Sequence, residues 1–335
     1  MRVLHAGRRD SVVALPLALV TAAVCAAVGL TSAPAAQATA STTSATTPSI
    51  ATVTGAVNRS NRAAVLAAYR ANFLAPSTVT SAWSGSVRSC DAGSTNPAFT
   101  RATLSAINWA RSQAGMPPVV GVNPTYSARA QRTALLMQAR GALSHAPASS
   151  WACWSSDGAA GAAHSNLALG VTGARAVGTY LVDPGSTNTD AGHRRWLLYP
   201  RLGQIGIGNT AWANALYVVG SPARLPAGAP AYYGWPTSGY FPRAAEPRGL
   251  WSLSSSRGFS FARATVRVVG PTGAAVGVTR YPVHTGYGDN TLVWRLASVP
   301  SQRSRVDQTY QVTVSGIRTA TGRATSYSYA VTLIS

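Results

Sequence analysis

The spacing of apolar residues changes along this chain, and that change restricts the fold more than any single motif. Between Asn96 and Asp183 apolar residues recur three and four apart; from about Gly249 onward they recur at every second position. Asn96-Pro97 offers a cap and a proline at the first helical position. Leu104, Ile107, Ala110 and Ala114 follow, and Gly115 stops the run. Asn123-Pro124 repeats the signal, with Tyr126, Ala130, Ala134 and Met137 as the apolar face and Gly141 as the end. A third helix is expected over Ala174 to Asp183, with Val177 and Leu181 inward, ending before Pro184. An earlier one is expected near Arg62 to Phe73, using Val65, Leu66 and Tyr69. After Pro200, Gln204 to Gly208 and Leu216 to Gly220 read as strands. Helices first and strands after make this part α+β.

The alternation near the C-terminus is sustained. Val266 and Val268 flank Arg267; Tyr310, Val312 and Val314 alternate with Gln311 and Thr313; Tyr327, Tyr329, Val331 and Leu333 alternate with Ser328, Ala330 and Thr332. Residues 249–335 are therefore expected to form a self-contained all-β module, a small immunoglobulin-like sandwich without an internal cysteine bridge. The proline- and tyrosine-rich stretch 221–248 reads as the connection.

The first residues carry an export signal. Arg2, Arg8 and Arg9 precede an apolar run from Val12 to Leu30, and Ala36-Gln37-Ala38 is a small-x-small cleavage pattern. Cleavage after Ala38 is expected, with an uncleaved membrane anchor as the alternative. Residues 39–58, rich in Ser, Thr and Ala, read as a tether. A secreted, extracellular protein is expected. All 28 basic residues are arginine, against 8 acids. Loss of residues 1–38 would remove three arginines and Asp10, leaving 25 arginines against 7 acids, a formal +18. Such a charge attracts polyanions, and outside the cell these are anionic envelope polymers and lipid surfaces. Nucleic acid is disfavoured, because the arginines are scattered and no recognition motif accompanies them. Two cysteines remain, Cys90 and Cys153. An even count in an oxidising compartment predicts one disulfide, with two separate thiols as the alternative.

The run NWARSQAGMPPV, then ALSHAPASSWACW, then SNLALG, then YLVDPGSTNTDAGHRRWLLYPRLGQIGIG resembles the bacterial, SCP-like form of the CAP superfamily, the cysteine-rich secretory, antigen 5 and pathogenesis-related group. The resemblance covers about residues 100–220. It implies an α-β-α sandwich over residues 59–220 and a cleft that commonly holds two histidines and two acids. His145 matches the first histidine and His193 the second; Asp183, three residues after Tyr180, matches one acid. Ser165, before Asn166-Leu167, stands where the family has its other acid. That departure removes a carboxylate from the set.

His145, His193 and Asp183 would give three ligands and an open position, the count used by catalytic zinc. The same trio could do acid-base work, or form a hydrogen-bonded network that orders the cleft. His164, beside Ser165, is expected on an exposed loop, with a fourth-ligand role as the alternative; Asp190 reads as a turn residue. No Gly-x-Ser-x-Gly elbow or phosphate-cradling loop is present, and paired carboxylates are scarce. Two functions remain. One is a non-catalytic secreted protein binding a small apolar or lipid ligand, or an envelope component, with Trp151, Trp154, Tyr180 and Trp196 as aromatic supply. The other is a metal-assisted extracellular hydrolase.

Overall fold

The structure is a computed structural model that describes residues 55–119 and 121–335. The expected export signal and all but the end of the expected tether lie outside the described residues. Among the described residues no helix is long and apolar enough to cross a membrane.

The capping signals act as written. Asn96 accepts from the Ala98 N–H at 2.8 Å and opens α2, Pro97–Gln113; Asn123 accepts from Tyr126 at 3.0 Å and opens α3, Pro124–Arg140. Gly141 ends α3 in the left-handed conformation, φ 68°. Before them lies α1, Arg62–Tyr69, which runs into a π-turn over Arg70–Leu74. After them come α4 (Ser156–Ala163), α5 (Gly173–Val182) and α6 (Gly192–Leu197). The sequence pattern does not anticipate α4 or α6. The α4 segment is rich in glycine and alanine because it lies against α3: a Cβ at Gly161 would sit 2.3 Å from Thr133 Oγ1.

Four strands make the first sheet: β1 (Gly121–Val122), β2 (Ser165–Leu169), β3 (Gln204–Asn209) and β4 (Ala213–Tyr217), in the order β1-β3-β4-β2. Only β1 and β3 are parallel. Alternation assigns the faces. Leu167, Ala213, Ala215 and Tyr217 pack on the α3 side; Ala168, Ile205, Ile207 and Leu216 pack on the α2 and α5 side. The glycines at every second place in QIGIGN face α3. A Cβ at Gly208 would stand 2.1 Å from the Ala130 backbone, so the helix lies directly on the strand only because none is there. The result is the expected α-β-α sandwich.

The C-terminal module is all β. Its strands are β5 (Tyr232–Trp235), β6 (Gly239–Pro242), β7 (Leu250–Ser255), β8 (Thr265–Val269), β9 (Ala275–Val276), β10 (Val278–Arg280), β11 (Thr291–Leu296), β12 (Gln308–Arg318) and β13 (Ala324–Ile334). They form two sheets, β10-β11-β7-β5 and β6-β13-β12-β8-β9, with Trp251, Leu253 and Trp294 of one packed on Tyr310, Val312 and Val331 of the other. The 221–248 stretch supplies β5 and β6, so it belongs to the sandwich as much as it links it.

The module does not hang free. One apolar core runs from Trp109 of α2 through Trp235 and Phe241 into the β-sandwich. Consequently α2 is buried on several sides, and even Arg111 and Gln113 are covered. Their donor groups are matched, while Gln113 Oε1 has no partner among the described residues. Arg111 donates to the carbonyls of Pro117, Leu197 and Tyr199, and Gln113 to that of Tyr240. Burial lowers the Arg111 guanidinium to about 10.

Candidate functional site

Asp183 follows α5 directly, in the left-handed conformation at φ 54°, which Asp tolerates better than most residues. This turns its carboxylate back onto the start of α6. The N-cap of α6 is Ala191, which has no side chain to cap with. Asp183 does that work instead: Oδ2 accepts the backbone N–H of His193 at 3.0 Å and, more loosely, that of Arg194 at 3.4 Å. Oδ1 lies 2.7 Å from His193 Nδ1. A carboxylate can only accept, so His193 carries a proton on Nδ1, and the neutral imidazole presents Nε2 as an acceptor. Tyr180 stacks on the imidazole at 5.4 Å and donates its hydroxyl to Asn214 Oδ1 at 2.7 Å. Burial pushes the Tyr180 phenol well above its ordinary value, so that donor is fixed.

His145 reaches the same place from the loop after α3. Its Nδ1 lies 2.8 Å from the Ala162 carbonyl, which again puts the proton on Nδ1 and leaves Nε2 bare. Ser165 and Asn166 open β2. Asn166 Nδ2 donates to the His193 carbonyl at 3.0 Å, tying strand to helix. Ser165 is 4% exposed and its hydroxyl has no protein partner.

His145, Ser165, Asn166 and His193 line one cavity of about 390 Å³, together with Thr187, Asn188, Asp190 and Trp196. Asp183 lies behind His193, on the far side of the ring from Nε2, with both oxygens committed. Among the described residues no group of three or more His, Cys, Asp or Glu is placed to hold a metal ion. Cys90 and Cys153 form the disulfide.

Other sequence candidates separate. Of the four aromatics, Trp196 lines the cavity; Tyr180 is committed to Asn214 and His193, Trp151 lies beneath Arg140 at 5.6 Å, and Trp154 is exposed. His164 is half-buried at the end of α4, not on an exposed loop. It stacks on Tyr217 at 5.2 Å, and its Nδ1 faces the Ala160 carbonyl at 2.8 Å. Asp190 sits in a turn, but it also pairs with His284 of the β-module at 2.7 Å.

That pair belongs to a wall the sequence does not announce. The loop from Tyr281 to Asn290, between β10 and β11, brings Gly286 and Tyr287 into the cavity lining. Arg195 of α6, buried at 3% exposure, holds it, donating to the carbonyls of His284 (3.1 Å) and Asp289 (3.0 Å). Tyr233 of β5 bonds Asp289 at 3.0 Å. Burial lowers the Arg195 guanidinium, and Asp190 heads the neighbours that raise it again. Gly286 and Gly288, both at positive φ, mark a turn in the sequence; nothing local links them to His193, which precedes Gly286 by 93 positions.

Residues 104–218 match the CAP family, the cysteine-rich secretory protein family. The chain carries a CAP domain. The match spans the loop of His145, Ser165, Asn166, Asp183 and His193, so the CAP domain contains every one of the expected cleft residues. The wall contributed by Gly286 and Tyr287 lies outside the CAP match. No curated protein matches the chain. Among solved structures the chain is similar to CopC from Methylosinus trichosporium OB3b, at 14% identity over 30% of this chain and 88% of that one. The TM-score of 0.23 is too low to carry an argument.

Proposed function

We propose that the protein is a secreted binding protein whose CAP cleft takes a small polar ligand of the cell envelope. One observation carries the reading: a cavity lined by two imidazoles with bare Nε2 atoms also holds a buried Ser165 hydroxyl without a protein partner. Buried polar atoms are nearly always satisfied, so the Ser165 hydroxyl asks for a partner from a ligand, and the two more open imidazoles beside it offer further hydrogen-bonding groups. An apolar or lipid ligand is supported less, because only Trp196 of the four expected aromatics reaches the cavity. The envelope setting is supported by the disulfide and by the excess of arginine over acids. The test is to incubate the protein with an aqueous wall digest and with a lipid extract, then record native mass spectra and ¹⁵N spectra of the histidines. The aqueous fraction should shift both imidazoles and add mass, and His193→Ala should abolish the uptake. Uptake from the lipid extract alone would refute the polar reading.

The second reading, a hydrolase, draws on the His193–Asp183 pair, a base oriented by a carboxylate. A catalytic zinc centre needs three protein ligands. Two Nε2 atoms are on hand and Asp183 is turned away from them, so the described residues do not fit such a centre. Turnover of p-nitrophenyl acetate that disappears in His193→Ala would favour this reading over simple binding.

A further inference from the structure

We propose that the ligand of this cleft is a saccharide ring, stacked on Tyr287, which the β-module holds over the CAP domain for that purpose. The inference rests on the binding reading above and adds a ligand class and a specificity-determining residue from outside the CAP domain.

The first support is how the loop is built. A turn joining β10 to β11 needs glycines, but it does not need an aromatic ring on the wall of a neighbouring cavity. Tyr287 is 38% exposed, yet it is firmly placed. The Arg195 guanidinium lies 5.3 Å from its ring centroid, and Gly192 lets the ring approach so closely that a Cβ there would stand 3.1 Å from Tyr287 Cδ1. Gly288 packs on Tyr199 in the same manner, at 3.2 Å for the missing Cβ. Arg195 and the Asp190–His284 pair fasten the loop ends. Preorganising an exposed aromatic in this way reduces the ordering cost of binding on its face.

The second support is the mixture of surfaces. Two aromatic rings, Tyr287 and Trp196, share the lining with Thr187, Asn188, Asp190 and Ser165. A hydrocarbon chain would strip water from these polar groups and return no hydrogen bond. A sugar ring carries apolar C–H faces with hydroxyls around its rim, so it can stack and bond at once. The buried Ser165 hydroxyl supplies a donor and acceptor at the cavity wall, and the imidazoles of His193 and His145 line the same cavity nearer solvent, where ring hydroxyls would reach. The volume of about 390 Å³ falls within the range of small-ligand sites.

The test uses the full chain on an array of immobilised oligosaccharides that includes β-1,4-linked N-acetylglucosamine and glucose oligomers. Trimers of both sugars are then titrated in solution, following tryptophan fluorescence and histidine ¹⁵N shifts. The expected result is saturable binding of at least one saccharide that shifts His193. Tyr287→Ala should weaken it about tenfold and Tyr287→Phe much less. Tyr287→Leu keeps an apolar side chain without the ring; it should bind like the alanine variant, which separates stacking from loop integrity. No saturable saccharide binding, or binding equal in wild type and Tyr287→Leu, overturns the proposal. If the aqueous wall digest shifts His193 while no saccharide does, the cleft reading stands and the saccharide class falls. If neither shifts it, both fall.

Discussion

Asp183→Asn changes one atom of a side chain that holds the cleft together, and its consequences can be worked from the distances. The carboxylate accepts from His193 Nδ1 at 2.7 Å, from the His193 backbone N–H at 3.0 Å and weakly from Arg194 at 3.4 Å. Hydrogen bonds to a charged group are worth about 1.5–3 kcal/mol, and neutral ones about 0.5–1.5. Counting the two short bonds, loss of the charge should lower stability by about 2–3 kcal/mol. The neutral side chain must also choose an orientation. With its carbonyl on the backbone N–H groups, its NH₂ faces Nδ1 and drives the ring proton from Nδ1 to Nε2. The reverse orientation strips the cap from α6, which costs more. In the favoured case Nε2 turns from acceptor to donor, and ligand binding should fall with it. Chemical denaturation gives the stability, and long-range ¹H–¹⁵N correlation of the histidines gives the tautomer. Unchanged stability with the proton still on Nδ1 would refute the account of Asp183 as cap and tautomer lock.

Four further outcomes are expected. Glu246 is buried and raised above its ordinary value of 4.5 by that burial, against the opposing bonds from Trp251 and Gly249. The folded state therefore holds this proton to higher pH than the unfolded chain, so its contribution to stability falls as pH climbs from about 4.5 through the raised value. Glu246→Gln should flatten that slope in thermal melts across pH 4–8. Arg194→Met removes a donor to the Leu181 carbonyl of α5 and donors to the Leu250 carbonyl and Ser252, which join the CAP domain to β7. At ~1–3 kcal/mol for each of these three acceptors left unsatisfied, it should cost about 3–9 kcal/mol, read by urea denaturation. Reducing Cys90–Cys153, which are 63 residues apart, should cost ~4 kcal/mol in the chain-entropy account, measured as a fall in the urea midpoint. A fragment of residues 249–335 lacks β5 and β6, the strands that pair with β7 and β13, and should give an undispersed amide spectrum. A fragment beginning at residue 229 should be better dispersed.

These expectations divide according to whether the responsible contacts are local or distant. The sequence by itself determined the helices opened by Asn96-Pro97 and Asn123-Pro124, because a cap and its proline act within one turn. It determined the period-two strands β12 and β13, where alternate residues meet a core on one face and water on the other. It also pointed to His145, Asp183 and His193 through their place in the CAP pattern. Tertiary structure alone decided the rest. The glycines of α4 suggest a loop until Thr133 of α3 lies against them. Asp183 is legible as a cleft acid, but its role as the cap of α6 depends on Ala191 having none to offer. Glu246 gives no sign in the sequence that it will be enclosed beneath Trp251. Above all, Tyr287 and Gly286 reach the cleft only because the outer side of the β10-β11-β7-β5 sheet packs on α6 through Leu250, Val293 and Ala191. A pattern of apolar spacing records which residues turn inward on their own element. It carries no record of which other element will meet them, and the wall of this cleft is set by that meeting.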